Sequence, residues 1–231
     1  MQFQFPNVVW GLSERKDGQM SVDLSPEEAE RNRQEFFHTV DIDLANTVGA
    51  SLVHGNEIVA VGEKDKGKII PNIDGLVTNE KSLYLLITVA DCAPVYFFDS
   101  QQKAVGLAHA GWRGVVKNIS RSLVDRMVET CGSKASSIVA HVGPHIRECH
   151  FEIKEDVLPF FKQYARHISN DGGKSMVSLA GIVKEQLLKA GLKAENISTS
   201  NECTFDEKKY FSFRREKPEV LQTMVAYIGM K

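Results

Sequence analysis

The sequence predicts an α+β fold: a single domain over residues 1–231, built as a sandwich of mixed β-sheets flanked by helices. Two observations carry this. Strand-like segments crowd the first two thirds of the chain, whereas the clear helices come late, so strands and helices do not alternate as a doubly wound parallel sheet requires. No Pro- or Ser-rich linker, low-complexity tract or internal repeat divides the 231 residues, a length that suits one large core.

The polar stretch 26–35 reads as the solvated face of a helix, and 63–68 as a hairpin tip. Residues 51–61, 83–89, 95–98, 104–109 and 138–142 are rich in Val, Ile, Leu, Tyr and Phe between Gly, Pro, Asp or Asn, which predicts strands. Val115, Val116, Ile119, Leu123 and Met127 follow helical spacing up to a stop at Gly132. Leu179, Ile182, Val183, Gln186 and Leu187 repeat that pattern before Gly191, and 220–228 reads as a closing strand.

Lys plus Arg number 28 and Asp plus Glu 30, so the net charge of −2 supplies no broad attraction to nucleic acid or to an anionic membrane. The longest apolar run, near 83–90, is far short of the ~20 residues of a membrane span. The cysteines at 92, 131, 149 and 203 form no Cys-x-x-Cys knuckle, and residues 1–20 lack the apolar core of a signal peptide. A cytoplasmic protein with reduced thiols is expected.

Reactive side chains concentrate in three segments beside strand ends and glycines: Val53-His54-Gly55-Asn56, Thr88-Val89-Ala90-Asp91-Cys92-Ala93-Pro94 and Ala108-His109-Ala110-Gly111-Trp112-Arg113-Gly114. Two chemistries fit them. His54, Cys92 and His109 offer two imidazoles and a thiolate, a set that suits a zinc ion with a fourth position for water. Alternatively, Cys92 is a nucleophile and His109 its base, with Asp91 or another polar side chain orienting the imidazole. Spacing does not separate the two. Arg113, at a helix start, and Arg214 and Arg215 are candidates for binding phosphate. His141, His145 and His150 are expected to be structural or to line a pocket, while His38 and His167 carry no motif. Cys149 and Cys203 are expected to be small buried hydrophobes, and Cys131 a core residue at a helix end.

Taken together, the segments resemble the laccase-domain family, also called the YfiH or multicopper polyphenol oxidase family, from about Gly11 to the C-terminus. The marks are Asp74-Gly75-Leu76-Val77-Thr78, Ala90-Asp91-Cys92-Ala93-Pro94-Val95, His109-Ala110-Gly111-Trp112-Arg113-Gly114, Gly143-Pro144-His145-Ile146 with Cys149, Phe151 and Glu152, and Cys203-Thr204 followed by Phe211-Ser212-Phe213-Arg214-Arg215. The resemblance implies a purine nucleoside phosphorylase that uses inorganic phosphate on adenosine, inosine and S-methyl-5′-thioadenosine, with adenosine deaminase activity besides. It also implies one zinc ion, whose ligand positions fall on His54, Cys92 and His109. Asp91 is then a candidate catalytic proton shuttle or an orienting partner of a histidine, and Arg113 a catalytic residue that contacts phosphate.

The older family label implies copper-dependent oxidation of phenols, but the chain lacks the many-His clusters that several copper ions require, which leaves copper the lesser candidate. The chain departs from the family at Leu52, where Gln is usual, at Phe205-Asp206, and in a shortened segment after residues 11–18. A cysteine hydrolase or deamidase, which uses Cys92 and His109 covalently, and a non-catalytic interaction protein are the other readings.

Overall fold

In the computed structural model of the chain, residues 5–22 and 25–231 are described. The elements begin with β1 (Val8–Leu12), α1 (Pro26–Thr39), β2 (Thr47–Ala50), β3 (Ile58–Ala60) and β4 (Ile69–Ile70). β5 (Gly75–Thr78), β6 (Tyr84–Val89), β7 (Ala93–Asp99), β8 (Ala104–Ala110), α2 (Trp112–Val116) and α3 (Ile119–Cys131) follow. The remainder holds β9 (Val139–Val142), β10 (Glu152–Ile153), β11 (Ile168–Asp171), β12 (Lys174–Val177), α4 (Leu179–Lys189), β13 (Ile197–Thr199), α5 (Phe213–Glu216) and β14 (Met224–Met230).

One sheet orders its strands β1-β14-β6-β2-β4, a second β13-β9-β7-β8-β5-β3, and a small third β10-β12-β11. Both large sheets are mixed: β2 runs parallel to β4 and β6, and β13 to β9, while the β7–β8 and β6–β14 pairs are antiparallel. Side chains alternate across a strand, and that alternation sorts the sequence into layers. Leu85 and Ile87 of β6 meet Tyr96 and Phe98 of β7 and Val105 and Leu107 of β8 in a core between the sheets. The opposite parity, Val95 and Phe97 with Ala104 and Ala108, faces α3 and α4 through Leu123, Met127, Ile182 and Leu187. On the outer face of the first sheet, Tyr84, Leu86, Val225 and Tyr227 pack under Phe37 of α1. The order is therefore helix, sheet, sheet, helices. Tyr96 joins the two sheets further, its hydroxyl donating to the Gly11 carbonyl at 2.9 Å. Among the described residues, no helix is long and apolar enough to cross a membrane.

Several expected elements shift. The stretch 51–61 is not one strand: β2 ends at Ala50, β3 begins at Ile58, and a loop between them turns through His54 with φ 57. The 63–68 stretch is no hairpin tip, since its short turn links β3 in one sheet to β4 in the other. The helix expected after Val115 breaks into α2 and α3 at Asn118, whose φ of 62 is left-handed. The closing strand begins at Met224, four residues later than expected.

α4 also carries a buried charge. Glu185 receives Arg166 Nε at 2.8 Å, Lys189 Nζ at 2.6 Å and His167 Nε2 at 2.7 Å. The Arg166 and Lys189 bonds lead, with His167 adding to them against the opposing effect of burial, and they bring this carboxyl from 4.5 down to about 2. A depressed carboxylate stabilises the fold above its unfolded pKa and loses that contribution as pH falls toward the folded value. Glu185→Gln should lower stability at neutral pH by about 1–2 kcal/mol, the exposed Arg166 and Lys189 heads being screened by water. In urea unfolding series, the gap between wild type and variant should shrink steadily as the pH falls below 4.5.

Candidate active site

Strand register brings the reactive residues to one end of the six-stranded sheet. β7 pairs with β8 so that Ala93 lies opposite Ala110 and Pro94 opposite His109. Cys92, one residue ahead of β7, therefore reaches the end of β8. β5 pairs with the other side of β8, Gly75 opposite Ala108, which places Asp74 level with His109. β3 runs parallel to β5 with Ile58 beside Gly75, so the loop carrying His54 arrives at the same end.

Asp74, with no exposed surface, accepts from His109 Nδ1 at 2.9 Å and from the backbone N–H groups of His54 at 2.9 Å, Gly55 at 2.6 Å and Val53 at 3.3 Å. Burial would raise its pKa, but the bonds from His109, Gly55 and Val53 hold the carboxyl below the ordinary range. An ionised carboxylate only accepts, so Nδ1 of His109 carries a proton, and in the neutral imidazole Nε2 is left for another partner.

The donor atoms of His54, Cys92 and His109 lie within 4.8 Å of one another, and the two imidazole rings stand 4.8 Å apart at 85°. Gly111 sits in their midst. A Cβ there would come within 2.9 Å of Cys92 Sγ and 3.2 Å of His54 Cδ2, so only glycine leaves the three side chains room to converge. Burial opposes ionisation of the Cys92 thiol, yet the facing His109 and His54 bring it down to about 6. Burial likewise disfavours the His109 cation, but Cys92 and Asp74 push its pKa up to about 9. Two imidazoles and a readily ionised thiol are the donor types of a zinc site, and their convergence fits such an ion.

A cavity of about 500 Å³ opens over these three residues. Trp112, Phe151, Leu179 and Phe213 give it apolar walls, and Arg113 and Arg214 line it. The exposed Arg113 guanidinium stacks over Trp112 at 4.3 Å and has no acidic partner among the described residues. Arg214 Nη1 donates to the Glu152 carbonyl at 2.9 Å, which fixes the side chain, while Nε and Nη2 have no acceptor among the described residues. A broader depression of about 800 Å³ beside α1, around Glu30, His38 and Tyr84, holds no comparable convergence of reactive groups among the described residues.

Two expectations need correction. Arg215 does not line the cavity: its Nη1 donates to the Thr204 and Phe205 carbonyls, both at 2.8 Å, and its Nη2 to the Tyr210 carbonyl and to Glu216. It braces the loop ahead of α5 instead of offering a free fork to phosphate. Asp91 lines the cavity but bonds neither histidine; its two oxygens accept from Thr204 Oγ1 at 2.6 Å and the Arg214 N–H at 2.7 Å. The partner that orients a histidine is Asp74. Sequence reasoning passed it over, although an Asp directly before a strand glycine was its available signal.

Other residues sort plainly. His141 bonds Ser198 Oγ at 2.8 Å, and the buried His145 bonds the Gly143 carbonyl at 2.8 Å, so both are structural. Cys203 is buried and Cys131 half-buried at the end of α3, but Cys149 is exposed, contrary to expectation, because it lies on a turn.

His54 and Asp91, with φ of 57 and 75, both adopt the left-handed conformation that side chains disfavour. Asp74 holds the first, and Thr204 with the Arg214 N–H holds the second. Thr204→Val keeps the shape of a fully buried side chain but removes the donor to a buried carboxylate oxygen. It should destabilise the protein by about 1.5–3 kcal/mol, measured as a lower urea midpoint.

Comparison with known proteins shows the family and the fold. The family model described as "Multi-copper polyphenol oxidoreductase laccase" matches residues 13–231. A purine nucleoside phosphorylase, YlmD of Bacillus subtilis (strain 168), is 32% identical over 213 residues, which cover 87% of this chain and 77% of that protein. Adenosine deaminase RL5, from an unknown prokaryotic organism, is 30% identical over 189 residues, covering 75% and 71% of the two chains. The crystal structure of YlmD from Geobacillus stearothermophilus superposes with a TM-score of 0.92 at 27% identity, covering 98% of this chain and 93% of that one. The chain belongs to the multi-copper polyphenol oxidoreductase laccase family, together with relatives named as purine nucleoside phosphorylases.

Proposed function

We propose that this protein is a zinc-dependent purine nucleoside phosphorylase acting on adenosine, inosine and S-methyl-5′-thioadenosine, and that the same site deaminates adenosine. The observation that carries this reading is the convergence of His54, Cys92 and His109 under a cavity with aromatic walls and two arginines. The relatives named purine nucleoside phosphorylase and adenosine deaminase support it.

His54, Cys92 and His109 would hold the ion, which supplies Lewis acidity and activates water. Among the described residues, the two donor clusters contain at most two histidines each, too few imidazoles for a multicopper centre, which favours zinc. Trp112, Phe151 and Phe213 offer aromatic faces to a purine. In phosphorolysis, a phosphate oxygen bonds to the ribose anomeric carbon as the bond to the purine nitrogen breaks, and Arg113 and Arg214 would place that phosphate and balance its charge. Asp91, with both oxygens occupied, positions Arg214 through its N–H.

A second reading has its own observation. Asp74, His109 and Cys92 also form the series of a carboxylate, an imidazole and a thiol that a cysteine nucleophile needs.

Labelling separates the two. In the zinc enzyme, Cys92 should resist iodoacetamide until a chelator removes the metal and purine turnover together, and zinc restored before labelling should restore activity. His54→Ala should lose one zinc equivalent and its activity. A nucleophile would label at Cys92 in untreated, active enzyme, and chelation would change nothing. Phosphate kinetics test the arginines. Arg113→Ala or Arg214→Ala should lower kcat/KM for phosphate by about 10- to 100-fold, the worth of one or two charge-assisted bonds. Arg215→Ala should act mainly on stability.

A further inference from the structure

A second group of soft and hard donors lies outside this cavity, in two loops that the fold binds together. Cys149 and His150 sit on the turn between β9 and β10, while Cys203 and Asp206 sit between β13 and α5. The Thr204 N–H donates to the His145 carbonyl at 3.0 Å, and the Arg147 N–H points at Cys203 Sγ at 3.4 Å. Beyond Cys203 the chain folds back, its carbonyl accepting from the N–H groups of Asp206 at 3.1 Å and Glu207 at 2.9 Å, which returns the Asp206 carboxylate over the thiol. Phe205 stacks on the His150 ring at 4.1 Å and 14°, which holds the imidazole in place.

The donor atoms of all four residues lie within 4.8 Å of one another. His150 Nδ1 is 3.2 Å from Cys149 Sγ, 3.9 Å from Cys203 Sγ and 3.5 Å from Asp206 Oδ1, and Cys149 Sγ is 3.7 Å from Asp206 Oδ2. A tetrahedral zinc ion with ordinary Zn–S, Zn–N and Zn–O bonds sets its ligand atoms about 3.4 to 3.8 Å apart. The separations bracket that range. Among the described residues, the only ion-pair partner of Asp206 is His150, so no Lys or Arg there supplies the positive charge these donors would neutralise.

We propose that Cys149, His150, Cys203 and Asp206 form a second zinc site, structural in kind because the protein supplies all four ligands and leaves no position for water. This goes beyond the catalytic reading and does not depend on it. The site sits directly behind the cavity wall. Thr204, next to Cys203, holds Asp91; the His150 carbonyl lies 3.5 Å from Arg214 Nη1; and Phe151 follows His150. An ion here clamps the segments that present Phe151 and Arg214 to the cavity.

The test titrates the reduced, chelator-stripped full chain with zinc alone and counts tightly bound equivalents, with cobalt as a spectroscopic substitute. Wild type should bind two equivalents, His54→Ala one and Cys149→Ser one; Cys149 is exposed, so its replacement leaves the core intact. Cobalt in His54→Ala should show sulfur-to-metal charge transfer that vanishes when Cys149→Ser is added. Zinc-loaded His54→Ala should also shield Cys149 and Cys203 from iodoacetamide. One equivalent in wild type, lost in Cys149→Ser but kept in His54→Ala, would support this site and defeat the catalytic one. Two equivalents retained in Cys149→Ser, no zinc bound by His54→Ala, or a Cys149–Cys203 disulfide that takes up no metal after reduction would each overturn the proposal.

Discussion

The Asp74 carboxylate, buried just ahead of β5, joins the end of β8 to the loop ahead of β3, two segments that do not pair with each other directly. One side chain accepts from the end of β8 through His109 and from three successive N–H groups of the loop ahead of β3. Without those acceptors, the Val53–Gly55 backbone would have to find other partners at the protein surface. The left-handed turn at His54 would then lose its main restraint. The same carboxylate sets which His109 nitrogen is protonated, so loop position and imidazole tautomer depend on a single group. Both proposed chemistries for the site, metal binding and nucleophilic attack, require that arrangement.

The fold was legible where burial is one-dimensional. β6, β7 and β8 are runs of apolar residues buried on both faces, and β7 and β8 are buried along their whole length. They were expected to within two residues. The failures are conformational. Leu52, Val53, Ile58 and Val59 suit a strand, but a left-handed turn at His54 interrupts them, and Asn118 splits α2 from α3 in the same way. Propensity does not encode a positive φ enforced by a distant partner.

Of the candidate site residues, His54, Cys92, His109, Arg113 and Arg214 do come together around one cavity. Each lies within two residues of a glycine, proline or aromatic residue near the end of a strand or helix, a local signal that can be read along the chain. Asp74 and Arg215 needed the fold: Asp74 bonds the backbone of a separate loop, and Arg215 turns back onto the carbonyls of the loop ahead of α5, and neither hydrogen-bond pattern leaves a local mark. The Cys149–Asp206 cluster needed it still more. Its donors come from two loops, and Cys149 has no local feature to distinguish an exposed turn cysteine from a buried one.

The position of β14 has a consequence for how the chain reaches this state. In the five-stranded sheet it lies between β1 and β6, pairing with the first strand of the sequence over its whole length, Val8 opposite Met230. A central strand is therefore contributed by the C-terminal segment. Until it arrives, β1 has no sheet partner and β6 exposes one hydrogen-bonding edge. Such long-range closure makes for slow, topology-limited folding on the millisecond-to-second scale. The unpaired edges invite association with other chains meanwhile. During synthesis, the six-stranded sheet under α3 and α4 can assemble first, while the sheet under α1 must wait for residues 224–230 to leave the ribosome.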